Sequence, residues 1–429
     1  MSILQCMNCG RQYPIDQVIY ACETCGGLLD VQHDFSAQHL TRELFDRRLG
    51  TYDAPYNSGV WRYKELIYPD VDPAKIVSRP EGNTNLYKTP RLAAWAGVET
   101  LYLKHEGENP TGSFKDRGMT GGLTQANVLG MKRVACASTG NTSSSLAAYA
   151  AWSGLRGILL FQDSHIALGK LAQAIAYGAV CIRIAADFDR NLELVRKMSA
   201  ELDIYVLNSV NPFRLEGQKT IMIETLQQLR WQVPDWFVLP GGNLGNTSAF
   251  GKALHELYEL GLIDRLPRLA VIQAEGANPL YRAYKVNFET YEPVHADTIT
   301  SAIKIGNPVN YPKAVRSLRW TNGVVEQVSD QEIMDAKALI DAQGIGCEPA
   351  SGCTLAGLRK LVDTGVIKAN ETVVGLLTGH LLKDPEATIA YHEDRLEGIM
   401  AKYPNRVFMA EPSVDSIREV LEAQELAKV

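Results

Sequence analysis

The stretch RVACASTGNTSSSLAAYAAWSGLRGILLFQ (133–162) decides the fold of this chain. Residues 133–138 form an apolar run that predicts a strand, and the alanine-rich segment 141–154 predicts a helix that ends at Gly154. A second apolar run follows at 156–162. Strand, helix and strand at this spacing are typical of a β-α-β unit, whose parallel strands are covered on both faces. The stretch therefore predicts an open α/β sheet.

The same alternation of predicted helices and strands continues in the sequence that follows. The next predicted elements are a helix at 167–178 that ends at Gly178, a strand at 180–185, an amphipathic helix at 188–202 and a strand at 204–208. A second group of elements is predicted further on: a strand at 235–240, a helix at 247–261, a strand at 268–276 and a strand at 372–379. Ser329 and Glu332 have capping-box spacing ahead of another helix. The whole chain is therefore α/β, although the segment from the N-terminal cysteines to Asn83 shows no clear period.

Composition excludes several classes of protein. The chain has 429 residues, of which 46% are hydrophobic and 21% charged, and this excludes a disordered chain. A net charge of −6 provides no positive field for nucleic acid or anionic lipid, so neither is expected as a partner. No apolar run reaches 18 residues, and MSILQCMNCGR lacks the features of a signal peptide. We expect a cytoplasmic protein.

Four polar or glycine-rich turns come at the carboxyl ends of predicted strands, where open α/β sheets bind their ligands. They are GENPTGSFKDRG (107–118), STGNTSSS (138–145), PGGNLGN (240–246) and LLTGH (376–380). PGGNLGN has the features of a phosphate-binding loop, because its glycines allow close backbone approach and a helix N-terminus follows. A tight turn without a ligand is the alternative. Neither G-x-G-x-x-G nor a P-loop is present, so nucleotides are not favoured.

Lys115, in GSFKDRG, is the candidate nucleophile. A lysine amine with a lowered pKa can form an imine with a carbonyl cofactor, and together with a phosphate-binding loop this suggests pyridoxal phosphate. A structural lysine paired to Asp116 is the alternative. STGNTSSS offers donors for a carboxylate or a phenolic oxygen, unless Asn141 or Thr142 simply caps the helix.

Seven blocks in this order resemble the threonine synthase family of pyridoxal-phosphate enzymes, of the tryptophan-synthase-β-like fold type II. They are GENPTGSFKDRG, ACASTGNTSSSLAAYAA, NSVNPFRLEGQKT, PGGNLGN, TSAIKIGNP, CEPASG and LLTGHLLKDP, and the resemblance covers roughly residues 80 to 385. Threonine dehydratase and cysteine synthase share looser forms of several blocks. The chain departs from many relatives in QDSHIALGK and in Gly352 and Cys353 after CEPAS, which puts side-chain selectivity in doubt.

The resemblance implies roles for individual residues. Lys115 would be the catalytic lysine that carries the cofactor as a Schiff base and later acts as general acid and base. Asn141 would contact the phenolic O3′, and Thr378 would face the pyridine nitrogen, where a neutral hydroxyl leaves the ring a weaker electron sink. The cofactor phosphate would be held by Gly241, Gly242, Asn243, Leu244, Gly245 and Asn246. The substrate phosphate would lie near Arg117, Ser144, Ser209, Arg214 and Asn246, although Arg214 could instead pair with Glu216 or Glu224.

The N-terminus carries two C-x-x-C pairs, Cys6 with Cys9 and Cys22 with Cys25. Two such pairs can present four thiolates tetrahedrally to Zn²⁺, and so short a segment can hardly fold without metal. One alternative is a ribbon that keeps its shape by packing alone, and a redox role is the less favoured alternative. Some members of the family resemble this chain in having such an N-terminus.

The resemblance also implies an architecture and an activity. We expect a zinc-ribbon-like segment at 1–35, a large cofactor-binding α/β domain from 36–120 and 215–429, and a small α/β domain at 121–214. We expect conversion of O-phospho-L-homoserine and water to L-threonine and phosphate by a homodimer. A threonine or serine dehydratase, or a β-replacement enzyme, is the nearest alternative. A non-catalytic binding protein is disfavoured because the lysine and the phosphate-binding loop are both intact.

Overall fold

The protein, as a computed structural model, is described over residues 2–138, 140–162, 168–184, 194, 197–199 and 201–426. Its strands are β1 (Ile3–Cys6), β2 (Gln12–Pro14), β3 (Leu29–Gln32), β4 (Leu86–Lys88), β5 (Thr100–His105), β6 (Arg133–Ala137), β7 (Arg156–Gln162), β8 (Val180–Ile184), β9 (Tyr205–Val206), β10 (Trp236–Pro240), β11 (Arg268–Ala274), β12 (Val324–Val328) and β13 (Thr372–Leu377). Its helices are α1 (Arg42–Asp46), α2 (Lys64–Ile67), α3 (Pro90–Ala96), α4 (Lys115–Val128), α5 (Asn141–Ser153), α6 (Leu168–Ala176), α7 (Pro212–Gln228), α8 (Gly245–Glu259), α9 (Pro279–Lys285), α10 (Tyr311–Trp320), α11 (Asp330–Asp341), α12 (Pro349–Asp363), α13 (Pro385–His392) and α14 (Val414–Leu426).

The first sheet has four strands in the order β8-β7-β6-β9, and every described pairing in it is parallel. This confirms the open α/β sheet predicted from residues 133–162. Helix α5 stops where expected, because Gly154 adopts a left-handed conformation with φ of 72°. The helix predicted at 188–202 lies largely outside the described residues, as does the start of the helix predicted at 167–178.

The second sheet has six strands in the order β12-β11-β10-β13-β5-β4. All neighbours are parallel except the edge strand β4, which runs antiparallel to β5. The predicted capping box is confirmed at the start of α11, where the Ser329 side chain accepts from the Glu332 backbone N–H and Glu332 accepts in return. Because β10, β13 and β5 are parallel neighbours, the loops that follow them emerge at the same edge.

Helices α4 and α7 approach each other closely, and glycine makes this possible. A Cβ on Gly217 would lie 1.8 Å from the carbonyl oxygen of Arg117, and one on Gly121 would lie 2.6 Å from that of Phe213. Only residues without a side chain fit at such a distance. The contact fixes the start of α4, which carries Lys115, against the start of α7, which carries Arg214.

The N-terminal strands form a small antiparallel sheet in the order β2-β1-β3. Its apolar side chains, among them Leu4, Leu29 and Val31, are buried in one cluster with Trp61 and Phe213 from the rest of the chain. The sheet is therefore packed on the body of the protein. In the described part of the chain, no helix has both the length and the apolar character that crossing a bilayer demands.

Candidate active site

Backbone hydrogen bonds join the loop before α4 to the turn after β13. The Phe114 N–H donates to the Thr378 carbonyl at 3.0 Å, and the His380 N–H donates to the Gly112 carbonyl at 2.9 Å. An isolated bridge also pairs Ser113 with Gly379. Two of the four turns singled out in the sequence are thus fixed side by side at the edge of the second sheet.

Lys115 is the first residue of α4, and its Nζ lies 4.2 Å from the centroid of the Phe114 ring. Desolvation lowers the pKa of this amine to about 7, and the charge of Arg214 acts in the same direction while Glu348 opposes it. A large fraction of the amine is therefore neutral near pH 7, which is the state that attacks carbonyl groups and accepts protons.

The alternative of an ion pair between Lys115 and Asp116 is wrong. The Asp116 carboxylate instead accepts hydrogen bonds from the Thr111 backbone N–H at 2.7 Å, from the Thr111 hydroxyl at 2.6 Å and from the Ser145 hydroxyl. Asp116 therefore links the loop before α4 to helix α5 and leaves the lysine amine without a carboxylate partner among the described residues.

Asn141 and Thr378 are joined through a carboxylate that the sequence analysis did not single out. Glu348 accepts from Asn141 Nδ2 at 2.8 Å and from the Thr378 hydroxyl at 2.9 Å. Capping of α5 by Asn141 or Thr142 is not found among the described residues, because the cap residue is Gly140, which makes no side-chain hydrogen bond. The available signal for Glu348 was Pro349, whose preference for the first helical position predicts a helix start directly after the glutamate.

The loop 240–246 connects β10 to α8 and is shaped by its small residues. A Cβ on Gly241 would lie 2.6 Å from Val271 Cγ1, and one on Gly242 would lie 3.1 Å from Ile303 Cα. Leu244 adopts a φ of 61° before the helix begins at Gly245. The Asn243 side chain ties the loop down by donating to the Ser209 hydroxyl at 2.6 Å. The free amides of α8 and its positive dipole end form an anion-binding arrangement.

Buried polar atoms without partners occur at the starts of α5 and α8 and on α7. Among the described residues, buried atoms lacking a hydrogen bond include Asn141 Oδ1, Arg214 Nε, Gln218 Oε1, Asn246 Oδ1 and Thr247 Oγ1. Gln218 Oε1 also lies 3.2 Å from the position of a Cβ on Gly245, which connects α7 with the loop. Buried polar groups are nearly always paired in native proteins, so this set indicates a polar ligand.

Arg214 is a buried cation that carries no carboxylate partner within the described residues. Its Nη1 donates to the Leu207 carbonyl at 3.0 Å, and burial lowers its pKa to about 10. The proposed alternative partners are taken: Glu216 pairs with His33 and Lys219, and Glu224 pairs with Lys104. The guanidinium is thus available to an anionic ligand.

Arg117, by contrast, is saturated by carboxylates. Its Nε and Nη2 each donate to Glu106 at 2.7 Å, and Nη2 also donates to Glu224 at 2.8 Å. The side chain is fully buried, and Nη1 bonds Gly59 and Thr220. These contacts make Arg117 part of the framework between α4 and α7, and they leave its charge neutralised. We therefore correct its expected place among the substrate-phosphate residues.

The remaining predicted residues lie on the same elements. Ser144 is buried on α5, and Ser209 precedes α7 with its carbonyl accepting from Asn310 Nδ2 at 3.2 Å. His380 caps the turn after β13, where its Nδ1 accepts from the Leu382 N–H at 3.1 Å. This bond gives His380 a structural role.

The four N-terminal cysteines form a second, separate cluster. Their Sγ atoms all lie within 4.8 Å of one another, and all four thiols are free. The Tyr13 hydroxyl lies 3.2 Å from Cys22 Sγ and lowers the pKa of that thiol to about 5, while the Asn8 N–H approaches Cys6 Sγ at 3.4 Å. Four thiolates at this separation suit a tetrahedral soft-metal site.

Comparisons with known proteins agree with this geometry. A family described as pyridoxal-phosphate dependent enzyme matches residues 77–379. Threonine synthase from Methanocaldococcus jannaschii is 47% identical over 395 residues, which is 92% of this chain and 96% of the relative. Threonine synthase from Methanosarcina acetivorans is 47% identical over 420 residues, covering 97% and 98%.

Solved structures support the fold. A fungal L-serine ammonia-lyase from Rhizomucor miehei has a TM-score of 0.63 and 18% identity, covering 74% of this chain and 99% of its own. At this identity the likeness concerns the fold alone, and it agrees with the fold-type-II architecture expected from the sequence.

Proposed function

Because this chain belongs to the threonine synthase family of pyridoxal-phosphate-dependent enzymes, we propose that it converts O-phospho-L-homoserine and water to L-threonine and inorganic phosphate. The observation that carries the proposal is the amine of Lys115. Desolvation lowers the pKa of this amine to about 7, so that it can act as both nucleophile and base near neutral pH. The positive charge of Arg214 contributes to this lowering.

The residues of the site fit pyridoxal phosphate. The unpartnered polar atoms on Asn141, Gln218, Asn246 and Thr247 need a polar ligand, and loop 241–246 leads into a helix N-terminus that suits a phosphate. Lys115 would hold the cofactor covalently, Asn141 would contact its O3′ and Thr378 its ring nitrogen. When bound, pyridoxal phosphate supplies an aldehyde that captures the substrate amine and a ring that withdraws electrons from the substrate.

The reaction needs protons moved at three carbon atoms. Protons leave Cα and Cβ, the Cγ–O bond breaks to release phosphate, and a proton returns to Cγ. The hydroxyl of water then adds at Cβ, and a proton returns to Cα. Lys115 Nζ is suited to this work, because a base whose pKa lies near the working pH can both accept and return a proton. Its low pKa depends on desolvation, so exclusion of water from the site keeps the amine effective.

The substrate phosphate would bind to Arg214, with Ser144, Ser209 and Asn246 beside it. Arg214 is the charged member of this set, and its fixed fork suits the oxygens of a phosphomonoester. The Ser209 hydroxyl is positioned by Asn243, and Asn246 Oδ1 is buried without a partner. An amide that can turn its nitrogen toward an anion is consistent with this role.

We further propose that Cys6, Cys9, Cys22 and Cys25 hold one Zn²⁺ as a structural ion. The proposal is supported by the close approach of the four Sγ atoms and by the Tyr13 hydroxyl, which would stabilise a thiolate ligand. The segment 1–35 would then be a zinc ribbon packed on the enzyme.

We propose that the protein is a cytoplasmic homodimer. Each subunit would contain a large domain (36–120 and 215–429) and a small domain (121–214). The domain boundaries are supported by the sheets, since all strands of the four-stranded sheet fall between Arg133 and Val206. Light scattering coupled to size exclusion measures the mass and tests the dimer.

The activity is tested by incubating the protein, reconstituted with pyridoxal phosphate, with O-phosphohomoserine. Threonine and phosphate should appear in equal amounts, and Lys115→Ala should abolish both. Threonine consumption with formation of α-ketobutyrate, without the synthase reaction, would instead identify a dehydratase. Turnover of O-acetylserine or O-phosphoserine alone would identify a β-replacement enzyme.

A further inference from the structure

Glu348 is a buried carboxylate at the centre of the candidate site. It immediately precedes α12, only 1% of it is exposed, and its backbone N–H donates to the Gly379 carbonyl at 2.9 Å. A Cβ on Gly379 would lie 2.5 Å from the Glu348 carboxyl carbon. The glycine of the LLTGH turn thus leaves the space that the carboxylate fills.

The hydrogen bonds of Glu348 are directional, because its two carboxylate oxygens accept from Asn141 Nδ2 and from the Thr378 hydroxyl. The Thr378 hydroxyl therefore donates its one proton to Glu348, in a hydrogen bond of 2.9 Å. Ser351 lies 3.2 Å from the Thr378 oxygen and already accepts the Thr378 N–H at 2.9 Å, which leaves the serine hydroxyl proton free to point at Thr378. Thr378 Oγ1 can then offer only a lone pair to any further partner.

We propose that Glu348 is a positioning residue that makes Thr378 a hydrogen-bond acceptor, so that the site binds pyridoxal phosphate with a protonated ring nitrogen. The inference rests on the proposed function, which sets Thr378 beside that nitrogen. It reverses the expectation from the sequence that a neutral hydroxyl leaves the ring a weaker electron sink. A carboxylate acting through the hydroxyl supplies the negative charge that a bare threonine lacks.

The same carboxylate orients Asn141. Because Glu348 accepts, it selects the amide nitrogen of Asn141, which donates at 2.8 Å. The second hydrogen on that nitrogen remains available to a phenolic oxygen. One residue thus sets the direction of both side chains expected at the ring.

Other ionisable groups lie close to Glu348. Lys115 on α4 is close enough for the two groups to interact electrostatically, and Arg214 on α7 acts on the same lysine. The thiol of the adjacent Cys347 is buried, and its pKa is raised well above the ordinary value, so it stays neutral. Within the described residues, Glu348 is the carboxylate that contacts Asn141 and Thr378.

The test uses the holoprotein loaded with pyridoxal phosphate that carries ¹⁵N in the ring, read by ¹⁵N NMR at neutral pH. The wild type should show a protonated ring nitrogen. Glu348→Gln should show an unprotonated one, because the glutamine removes the charge and can donate to Thr378 in place of accepting. Glu348→Asp, which keeps the charge, should remain closer to the wild type, and the exposed Glu259→Gln serves as control. The visible absorption of bound cofactor shows that each variant is loaded.

Kinetics provide a second readout. Glu348→Gln should lower kcat about 100-fold, as expected for a lost preorganised charge, with KM for O-phosphohomoserine changed only a few-fold. An unprotonated ring nitrogen in the wild type, or a protonated one in Glu348→Gln, would overturn the inference. A wild type that shows the expected NMR signals and forms no threonine would refute the proposed function and leave the role of Glu348 standing.

Discussion

The Asp30 carboxylate on β3 accepts a hydrogen bond from the buried ammonium of Lys313 on α10 at 3.0 Å. Arg316, one turn further along α10, donates to the same carboxylate at 2.6 Å. Lys313 also donates to the Leu29 carbonyl at 2.7 Å. The third strand of the N-terminal sheet is therefore fixed to the body of the enzyme by buried charges as well as by apolar contacts.

Removing the Asp30 carboxylate should destabilise the whole protein. Asp30→Ala leaves Lys313 buried without its counter-charge, and loss of one partner from a buried pair costs about 3–5 kcal/mol. Urea unfolding measures the change in free energy. Asp16→Ala, at an exposed position in the same segment, is the matched control and should change little. Equal stability of the two variants would show that the pair does not hold the ribbon in place.

The Asp30 contribution should also depend on pH. Burial alone would raise the pKa of this carboxyl, but the charges of Lys313, Lys252 and Arg316 outweigh it and hold the pKa well below the usual range. The stabilisation is then fully present above about pH 4, where the unfolded carboxyl is ionised, and is lost as the pH falls further into the acid range. The difference in unfolding free energy between wild type and Asp30→Asn should shrink on acidification, and a constant difference would contradict the ion pair.

Formation of the holoenzyme should report the pKa of Lys115. The rate at which apoprotein gains visible absorption with pyridoxal phosphate should rise with pH and level off with a midpoint near 7, since only the neutral amine attacks. An ordinary lysine would give a rate still rising toward pH 10. Lys64 is another lysine whose pKa is lowered by burial, and it provides a control. Lys64→Met should leave the midpoint unchanged.

Arg214 should govern substrate affinity more than cofactor binding. A hydrogen bond to a charged group contributes about 1.5–3 kcal/mol, so Arg214→Met should raise KM for O-phosphohomoserine about 10- to 100-fold. Steady-state kinetics measure this, and the absorption of bound cofactor should persist. Arg319→Met, at an exposed position on α10, is the control. A loss of cofactor with unchanged KM would place Arg214 at the cofactor phosphate instead.

The elements that could be predicted from the sequence are those whose ends are determined by residues close to them in the chain. Gly154 stops α5, and the Ser329–Glu332 capping box starts α11, so both boundaries follow from short-range chemistry. The segment before Asn83 could not be assigned because its structure depends on distant partners. Trp61, for example, is held by an indole hydrogen bond to Thr120 at 2.7 Å.

The site shows the same division. The roles of the loop glycines and of Lys115 can be inferred from their sequence motifs. The roles of Arg117 and Arg214 cannot, because the two arginines differ in their carboxylate contacts, and Arg117 is the one that pairs with Glu106 and Glu224. From the sequence, Gly352 is a departure from many relatives that is expected to affect side-chain selectivity. A Cβ there would lie 2.2 Å from the Ile333 carbonyl oxygen, so this glycine serves the packing of α12 on α11.

Metal removal should loosen the ribbon and destabilise the enzyme beneath it. The purified protein should contain one Zn²⁺ per chain by elemental analysis, and Cys9→Ser should lose it. Because metal binding in such small segments is coupled to folding, a strong chelator should lower Tm by about 5 °C or more. Cys181→Ser changes a free cysteine outside the cluster and should keep both metal and Tm. Metal-free protein with an unaltered Tm would instead favour a ribbon held by packing and by the Asp30–Lys313 pair alone.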